Sequence, residues 1–287
     1  MSFNSTKVIL ITLLSIIPFS MFSQDEDIAK YTSSNKGKVF FSWGGNRASY
    51  SKSDIHFEGD DYDFTIKDVS AHDKPKGWHI DYVNPTRMTI PQTNFKLGYF
   101  ISDKYTITFG VDHMKYVMYN NRTKTVDGYI NLPSTEEGAI FNGTYDNQET
   151  FISEDFLTFE HTDGLNYVNV EVGRFDDISS IFNIGNTDKI QLNLTEGIGA
   201  GVLYPKTNAK LLSKNREDEF HIAGYGVSAR AGLNITFFKY FFIQGDIKGG
   251  FINMPNIRTT SSSSDTASQH FFYFERIISI GGIFRLN

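Results

Sequence analysis

From Lys189 to Tyr204 the chain carries an apolar side chain on almost every second residue. Ile190, Leu192, Leu194, Ile198, Ala200, Val202 and Tyr204 share one parity; Gln191, Asn193, Thr195, Gly197, Gly199 and Gly201 share the other; only Glu196 breaks the rule. Tyr225 to Phe237 repeats it, with Tyr225, Val227, Ala229, Ala231, Leu233, Ile235 and Phe237 against Gly226, Ser228, Arg230, Gly232, Asn234 and Thr236. Successive side chains of a strand point to opposite faces, so this pattern specifies a strand with one apolar face and one small or polar face. Strands of water-soluble sheets commonly run to ~5–6 residues. A half-apolar strand of thirteen or more is long enough to cross a bilayer at a tilt, with its polar parity facing a wet or hydrogen-bonded interior.

Weaker examples follow the same rule. Phe95, Leu97, Tyr99 and Ile101 alternate with Lys96, Gly98 and Phe100, and Tyr105, Ile107, Phe109 and Val111 alternate with Thr106, Thr108, Gly110 and Asp112, with Ser102 to Lys104 a tight turn between them. Val168, Val170 and Val172 oppose Asn169 and Glu171; Phe241, Ile243, Ile247 and Phe251 oppose Gln244, Asp246, Lys248 and Gly250. The last segment puts Phe272, Phe274, Ile278, Ile280, Phe284 and Leu286 on one parity, with Arg276 among them and Ile277 and Ile283 on the other. It is positioned to close the sheet against a first strand around Val39, Phe41 and Trp43. The fold this predicts is all-β: a transmembrane antiparallel up-and-down β-barrel of about ten to twelve strands with a polar lumen and long extracellular loops. The long loops are expected over Gly45–Ile90, Asn120–Thr150, Pro205–Glu219 and Asn253–Gln269, with one crossing inside Asn120–Thr150 in the count of ten, although Tyr62, Phe64 and Ile66 read as a strand inside the first.

The N-terminus supplies a route to a membrane. Lys7 precedes the apolar run Val8 to Ile17, followed by Pro18 and a short stretch ending at Ser23, the pattern of a secretory signal peptide. The expected organisation is a signal peptide over 1–23, a periplasmic lead-in over 24–37 and a barrel domain over 38–287, located in the cell outer membrane after Sec-type export. Composition agrees. There are 26 Phe, 15 Tyr and 24 Gly against 7 Pro, a bias toward strands and turns. The absence of cysteine excludes disulfides, thiolate metal sites, a catalytic thiol and a lipidated N-terminal cysteine. A formal net charge of −6 gives nucleic acid no basic surface. The partner the sequence implies is outer-membrane lipid, and no cofactor or metal is called for.

The signal peptide, the alternation of glycine and aromatic residues and the closing strand together resemble the small outer-membrane barrels abundant in Bacteroidota. Ser53-Asp54-Ile55-His56-Phe57-Glu58-Gly59 and Gly110-Val111-Asp112-His113-Met114-Lys115-Tyr116 look like motifs of uncharacterised members of that group. The resemblance implies a fold and a location and carries no catalytic residues with it.

On the parities above, Lys96, Asp112, Glu171, Arg230, Asp246, Lys248, Glu275 and Arg285 point into the lumen, four cations and four anions. They would line a polar pore or form a salt-bridged plug. The plug is favoured, because small barrels have interiors that side chains fill and buried charges must pair. Catalysis has one weak candidate: His161 and Asp163 within Glu160-His161-Thr162-Asp163-Gly164, where an imidazole, a carboxylate and a hydroxyl are close in sequence. Lipid A deacylases place a Ser two residues after their His; the residue here is Asp163, and a polar turn closed by Asp163-Gly164 accounts for the segment. Asp112-His113 lacks a third metal ligand, and His56, His72 and His79 with Asp54, Asp60, Asp61 and Asp73 read as a solvated acidic loop. The function expected is that of a non-enzymatic integral outer-membrane barrel with a structural, transport or surface-interaction role; the competing classes are a membrane-embedded hydrolase or acyltransferase acting on envelope lipid, and a soluble secreted lipocalin-like binder.

Overall fold

The first strand, β1 (Lys38–Tyr50), pairs along its whole length with the last, β14 (Thr266–Arg285), from Lys38 opposite Arg285 to Tyr50 opposite Tyr273. Its other edge pairs with β5 (Thr93–Phe100). From there the order runs through β6 (Tyr105–Met118), β9 (Leu157–Asp177), β10 (Ile190–Leu203), β12 (Gly224–Phe237) and β13 (Phe241–Arg258) back to β14, every pair antiparallel. Eight strands therefore form a closed ring. This computed structural model describes residues 34–77, 79–82, 84, 87, 91–214 and 219–285; the expected signal peptide lies outside them. No helix among the described residues is long and apolar enough to cross a membrane.

The wall is apolar outside and polar inside. Ile198, Ile278 and Phe241 are 69%, 66% and 67% exposed, and Phe41, Leu97, Ile107, Phe109, Val172, Leu233 and Ile243 join them around the ring. The intervening Thr108, Asn193, Thr195, Asn234, Gln244 and Ser279 are buried. A chain hiding its apolar side chains from water would reverse this arrangement; a transmembrane barrel requires it. Glu196 faces outward opposite Arg174, which explains why it could interrupt the pattern.

The three longest connections all leave from one end of the ring. Residues 101–104, 178–189 and 238–240 turn at the end that holds the start of β1 and the end of β14, whereas 51–92, 119–156, 204–223 and 259–265 leave from the other. The long connections fold. Beyond the ring, β14 passes through Thr266–Gln269 to β2 (Ser53–Gly59), then to β3 (Tyr62–Val69), β7 (Arg122–Ile130) and β8 (Gly143–Ile152). Two short strands, β4 (Ala71–His72) and β11 (Asn208–Leu211), pair with β6 and β9. The sheet path thus holds twelve strands, eight that close and four that project beyond the wall. Tyr62, Phe64 and Ile66 form a strand as their alternation suggested, but in this projection. The segment Asn120 to Thr150 contributes two projecting strands and no extra crossing.

In the projection the polarity turns inside out. The β2-β3-β7 sheet lies over the outer ends of β6 and β9, with Phe57 against Phe159 at 5.9 Å between ring centroids and Phe64 against Phe156 at 5.7 Å. Ile55, Phe57, Phe64, Ile66, Tyr116, Phe159, Leu165 and Phe271 are all 1% exposed or less, in one continuous apolar core. The opposite mouth is closed by a smaller layer: Phe40, Phe100, Phe175, Phe242 and Ile283. Phe100 lies edge-on to Phe40 at 5.6 Å and to Phe175 at 5.2 Å. Glycines make room for it. A Cβ on Gly98 would come within 2.1 Å of the Phe40 ring, and one on Gly281 within 2.2 Å of the Phe242 ring.

Candidate functional site

Between these two apolar layers the interior is a continuous ionic and hydrogen-bonded network. Arg230 on β12 donates from Nε to Glu171 on β9 at 2.6 Å and from Nη1 to Thr195 at 3.2 Å and Asp246 at 3.3 Å. Lys96 on β5 approaches the same two carboxylates, 3.9 Å from Glu171 and 3.8 Å from Asp246. One level toward the projection, Lys248 on β13 bonds Asp112 on β6, and Asn94 and Asn169 also donate to Asp112, at 2.6 Å and 3.2 Å. Asn46 donates to Asn94, and on the far wall Asn234 donates to Gln244 and Gln244 to Asp246. Arg230–Glu171, Lys96–Glu171, Lys96–Asp246 and Lys248–Asp112 join strands that are not neighbours in the ring, so these side chains meet through the lumen.

Seven of the eight charged residues singled out in the sequence sit in this interior: Lys96, Asp112, Glu171, Arg230, Asp246, Lys248 and Glu275 are each 5% exposed or less. Arg285 does not. It keeps the inward parity but lies at the strand's last described residue, past the phenylalanine layer, where it is exposed and donates to the Ser34 carbonyl at 3.0 Å. Among the described residues this network therefore holds three cations and four carboxyl groups. The extra one is Glu275, fully buried with neither oxygen in a hydrogen bond among the described residues.

His161 and Asp163 are not brought together. The segment forms no turn; β9 runs straight through it as a bulge, in which residues 162–164 face the single residue Lys115 between the pairs Met114–Leu165 and Tyr116–His161. The bulge sends the two side chains to opposite sides. His161 is fully buried against Tyr116 and Phe159, its Nδ1 2.9 Å from the Thr207 hydroxyl. Burial, seconded by His221, pulls its pKa down to about 3. Asp163 is exposed beside Lys206 at 3.7 Å. The imidazole lies inside an apolar core, and the carboxylate beside it in sequence faces water.

The histidine-containing acidic stretch is mostly strand. Asp54, His56 and Glu58 on β2 and Asp63 on β3 stand on the outer face of the projecting sheet; His56 shares its Nδ1 with Thr65 at 3.1 Å and lies 3.7 Å from Asp63. No group of three metal-ligating residues assembles among the described residues. Between 119 and 155 the chain carries Arg122 and Lys124 against Asp127, Glu136, Glu137, Asp146, Glu149, Glu154 and Asp155, so the outer part of this sheet is acidic. Among the described residues its last strand, β8, pairs on one edge only.

Sequence reasoning missed the phenylalanine layer. Phe100, Phe175 and Phe242 stand on the polar parity of their strands, a signal that could have marked them as interior. It also missed the Gln269 side chain bridging Ser53 and Tyr116 at 2.8 Å and 2.6 Å under the projection; burial holds the Tyr116 phenol up at about 12.

No family model and no curated protein matches the chain. Among solved structures it is similar to Ail, the attachment invasion locus protein of Yersinia pestis, at 12% identity over 87% of this chain and 99% of that one, with a TM-score of 0.33. It is similar also to the outer membrane protein OprG of Pseudomonas aeruginosa, at 10% identity over 88% and 99%, TM-score 0.36. A third is Neisserial surface protein A, at 9% identity over 86% and 97%, TM-score 0.33. At those scores the barrel stands on its own strand pairing and polarity.

Proposed function

We propose that this chain is an outer-membrane barrel that conducts nothing and holds a β-sheet projection at the cell surface for interaction with other molecules. The carrying observation is the filled cross-section: an ionic network spans the lumen between two apolar layers, while the wall continues beyond the membrane into a sheet with its own core. The three longest connections leave from one end, and the start of β1 and the end of β14 lie at the other, the orientation usual for such barrels with the long side outward. The secretory N-terminus and the resemblance to Bacteroidota barrels support the location. The acidic, one-sided edge of the projection suits a basic partner.

Planar-bilayer recording of the full barrel tests this. No unitary current steps are expected, and steady open-channel conductance would overturn the closed reading. Fractionation tests the location: the protein is expected to stay with the outer membrane through a carbonate wash, and release into the wash would count against it.

A further inference from the structure

Arg276 is the cation that interrupts the apolar parity of β14, and the structure gives it an unusual neighbour. Its pairing partner on β1 is Arg47. Both residues belong to the outward parity of their strands, Arg276 exposed and Arg47 half-buried. Directly opposed residues on one face of an antiparallel pair have Cβ atoms about 4.5–5.5 Å apart, and like charges in that position repel. Elsewhere on the wall an outward arginine has its counter-charge: Arg174 bonds Asp176 at 2.6 Å and stands opposite Glu196. Neither Arg47 nor Arg276 is ion-paired among the described residues.

The surroundings also face lipid. Toward the membrane the pair is followed by Gly45 and Ile278, and toward the projection by Ser49 and Phe274; beside Arg276 stands Ile247. On the other side of Arg47, the Tyr82 ring packs over Gly45. A Cβ on Gly45 would come within 2.9 Å of that ring, the Tyr82 carbonyl accepts the Trp43 indole N–H at 2.7 Å, and the Tyr82 hydroxyl accepts from Arg47 at 3.4 Å. Ile80, two residues earlier, is 67% exposed. The nearby carboxylate, Asp73, is occupied by the Ala48 amide and Gln92. Arg47 lies eight residues beyond Val39, which at ~3.3 Å per residue and a tilt of about 40° is about 20 Å of height, near the outer edge of an apolar band of ~25 Å.

We propose that Arg47 and Arg276 together bind the phosphate of an anionic lipid headgroup at the outer boundary of the membrane, with the acyl chains lying along Ile278, Ile247 and Phe274. This rests on the membrane reading above. Arg47 Nη1 donates to the Asn46 carbonyl at 2.6 Å; the remaining donors of two guanidinium groups on directly opposed residues can serve a phosphate in charge and in hydrogen-bond geometry, and an anion between them removes the repulsion that the bare pair carries.

The test places wild-type barrel and the R47Q/R276Q variant in nanodiscs of phosphatidylcholine with a minor share of phosphatidic acid, and counts lipids retained on the released protein by native mass spectrometry. The wild type is expected to retain phosphatidic acid in preference to phosphatidylcholine, and the variant to lose at least about tenfold of that preference, the factor for one lost charge-assisted bond. Equal preference in the two proteins overturns the proposal, as does release of the lipid by an equal concentration of inorganic phosphate, which would assign the pair to a free ion. Carbonate-wash fractionation separates the failures: a wild type that washes off sinks the membrane reading, whereas one that stays put while both proteins retain lipid alike sinks this inference alone.

Discussion

Lys248 and Asp112 stand on strands half the ring apart, β13 and β6, and their side chains meet in a fully buried ion pair at the centre of the lumen. Removing one member leaves the other charged in a place water does not reach, which costs about 3–5 kcal/mol; replacing both with apolar groups recovers much of that. Lys248→Met is therefore expected to destabilise the barrel by about that amount, and Lys248→Met with Asp112→Leu by clearly less, short of full recovery because Asn94 and Asn169 lose their acceptor. Urea unfolding in lipid vesicles measures both. Equal losses in the single and double variants would show that the pair is not what matters. Glu275→Gln, which removes the carboxyl group left over in the interior, is expected to be neutral or stabilising in the same assay.

Acid sensitivity should concentrate at His161. Burial lowers its pKa from 6.5 to about 3 in the folded protein. An unfolded chain then binds the proton more readily, so stability that is complete above about 6.5 is lost as the pH falls toward 3, by up to about 1.4 kcal/mol per pH unit. His161→Gln keeps a partner for Thr207 and removes the titration. Its unfolding midpoint should change less than that of the wild type between pH 7 and pH 4; parallel curves would reject the assignment.

The ring was legible in the sequence because two different solvents, lipid outside and a polar interior, print a period of two on every spanning strand: Ile190 to Leu203 needs nothing else to be read. That period does not say which solvent lies on which side. Phe57, Phe64 and Phe159 alternate as regularly as Ile278 and Ile280 do, yet they face a closed core beyond the membrane, so the strand total could be approached while the eight that close could not be separated from the four that project. Depth was equally invisible. Arg285 has the parity of Glu275 and Ile283 but falls past the last closed layer, and only the register of β14 against β1 reveals it. The bulge at residues 162–164 hid behind an Asp-Gly pair that has the chemistry of a turn.

Because the projection has a core of its own, it should loosen without opening the barrel. Phe159 packs against Phe57 and His161 and is 1% exposed, so Phe159→Ala is expected to cost about 3–5 kcal/mol locally. Protease added to intact cells should then cut within the β7–β8 segment at doses that leave the wild type whole, while the barrel keeps its compact, heat-dependent mobility on gels. Loss of that mobility would mean that ring and projection fold as one unit.

The phenylalanine layer at the short-turn mouth makes the most local prediction. Phe40 occupies the space over Gly98 that any side chain would fill, and Phe242 does the same over Gly281. Gly98→Ala alone should overpack the layer and destabilise by about 1–3 kcal/mol. Phe40→Leu alone should also destabilise, through the lost contact with Phe100 and Phe175. Combined, the two should cost less than their sum, since the smaller side chain vacates the room the new methyl needs; coupling of this kind between touching residues is commonly about 0.5–3 kcal/mol. A double-mutant cycle from urea unfolding reads it directly, and strict additivity would mean that the ring and the glycine are not in contact.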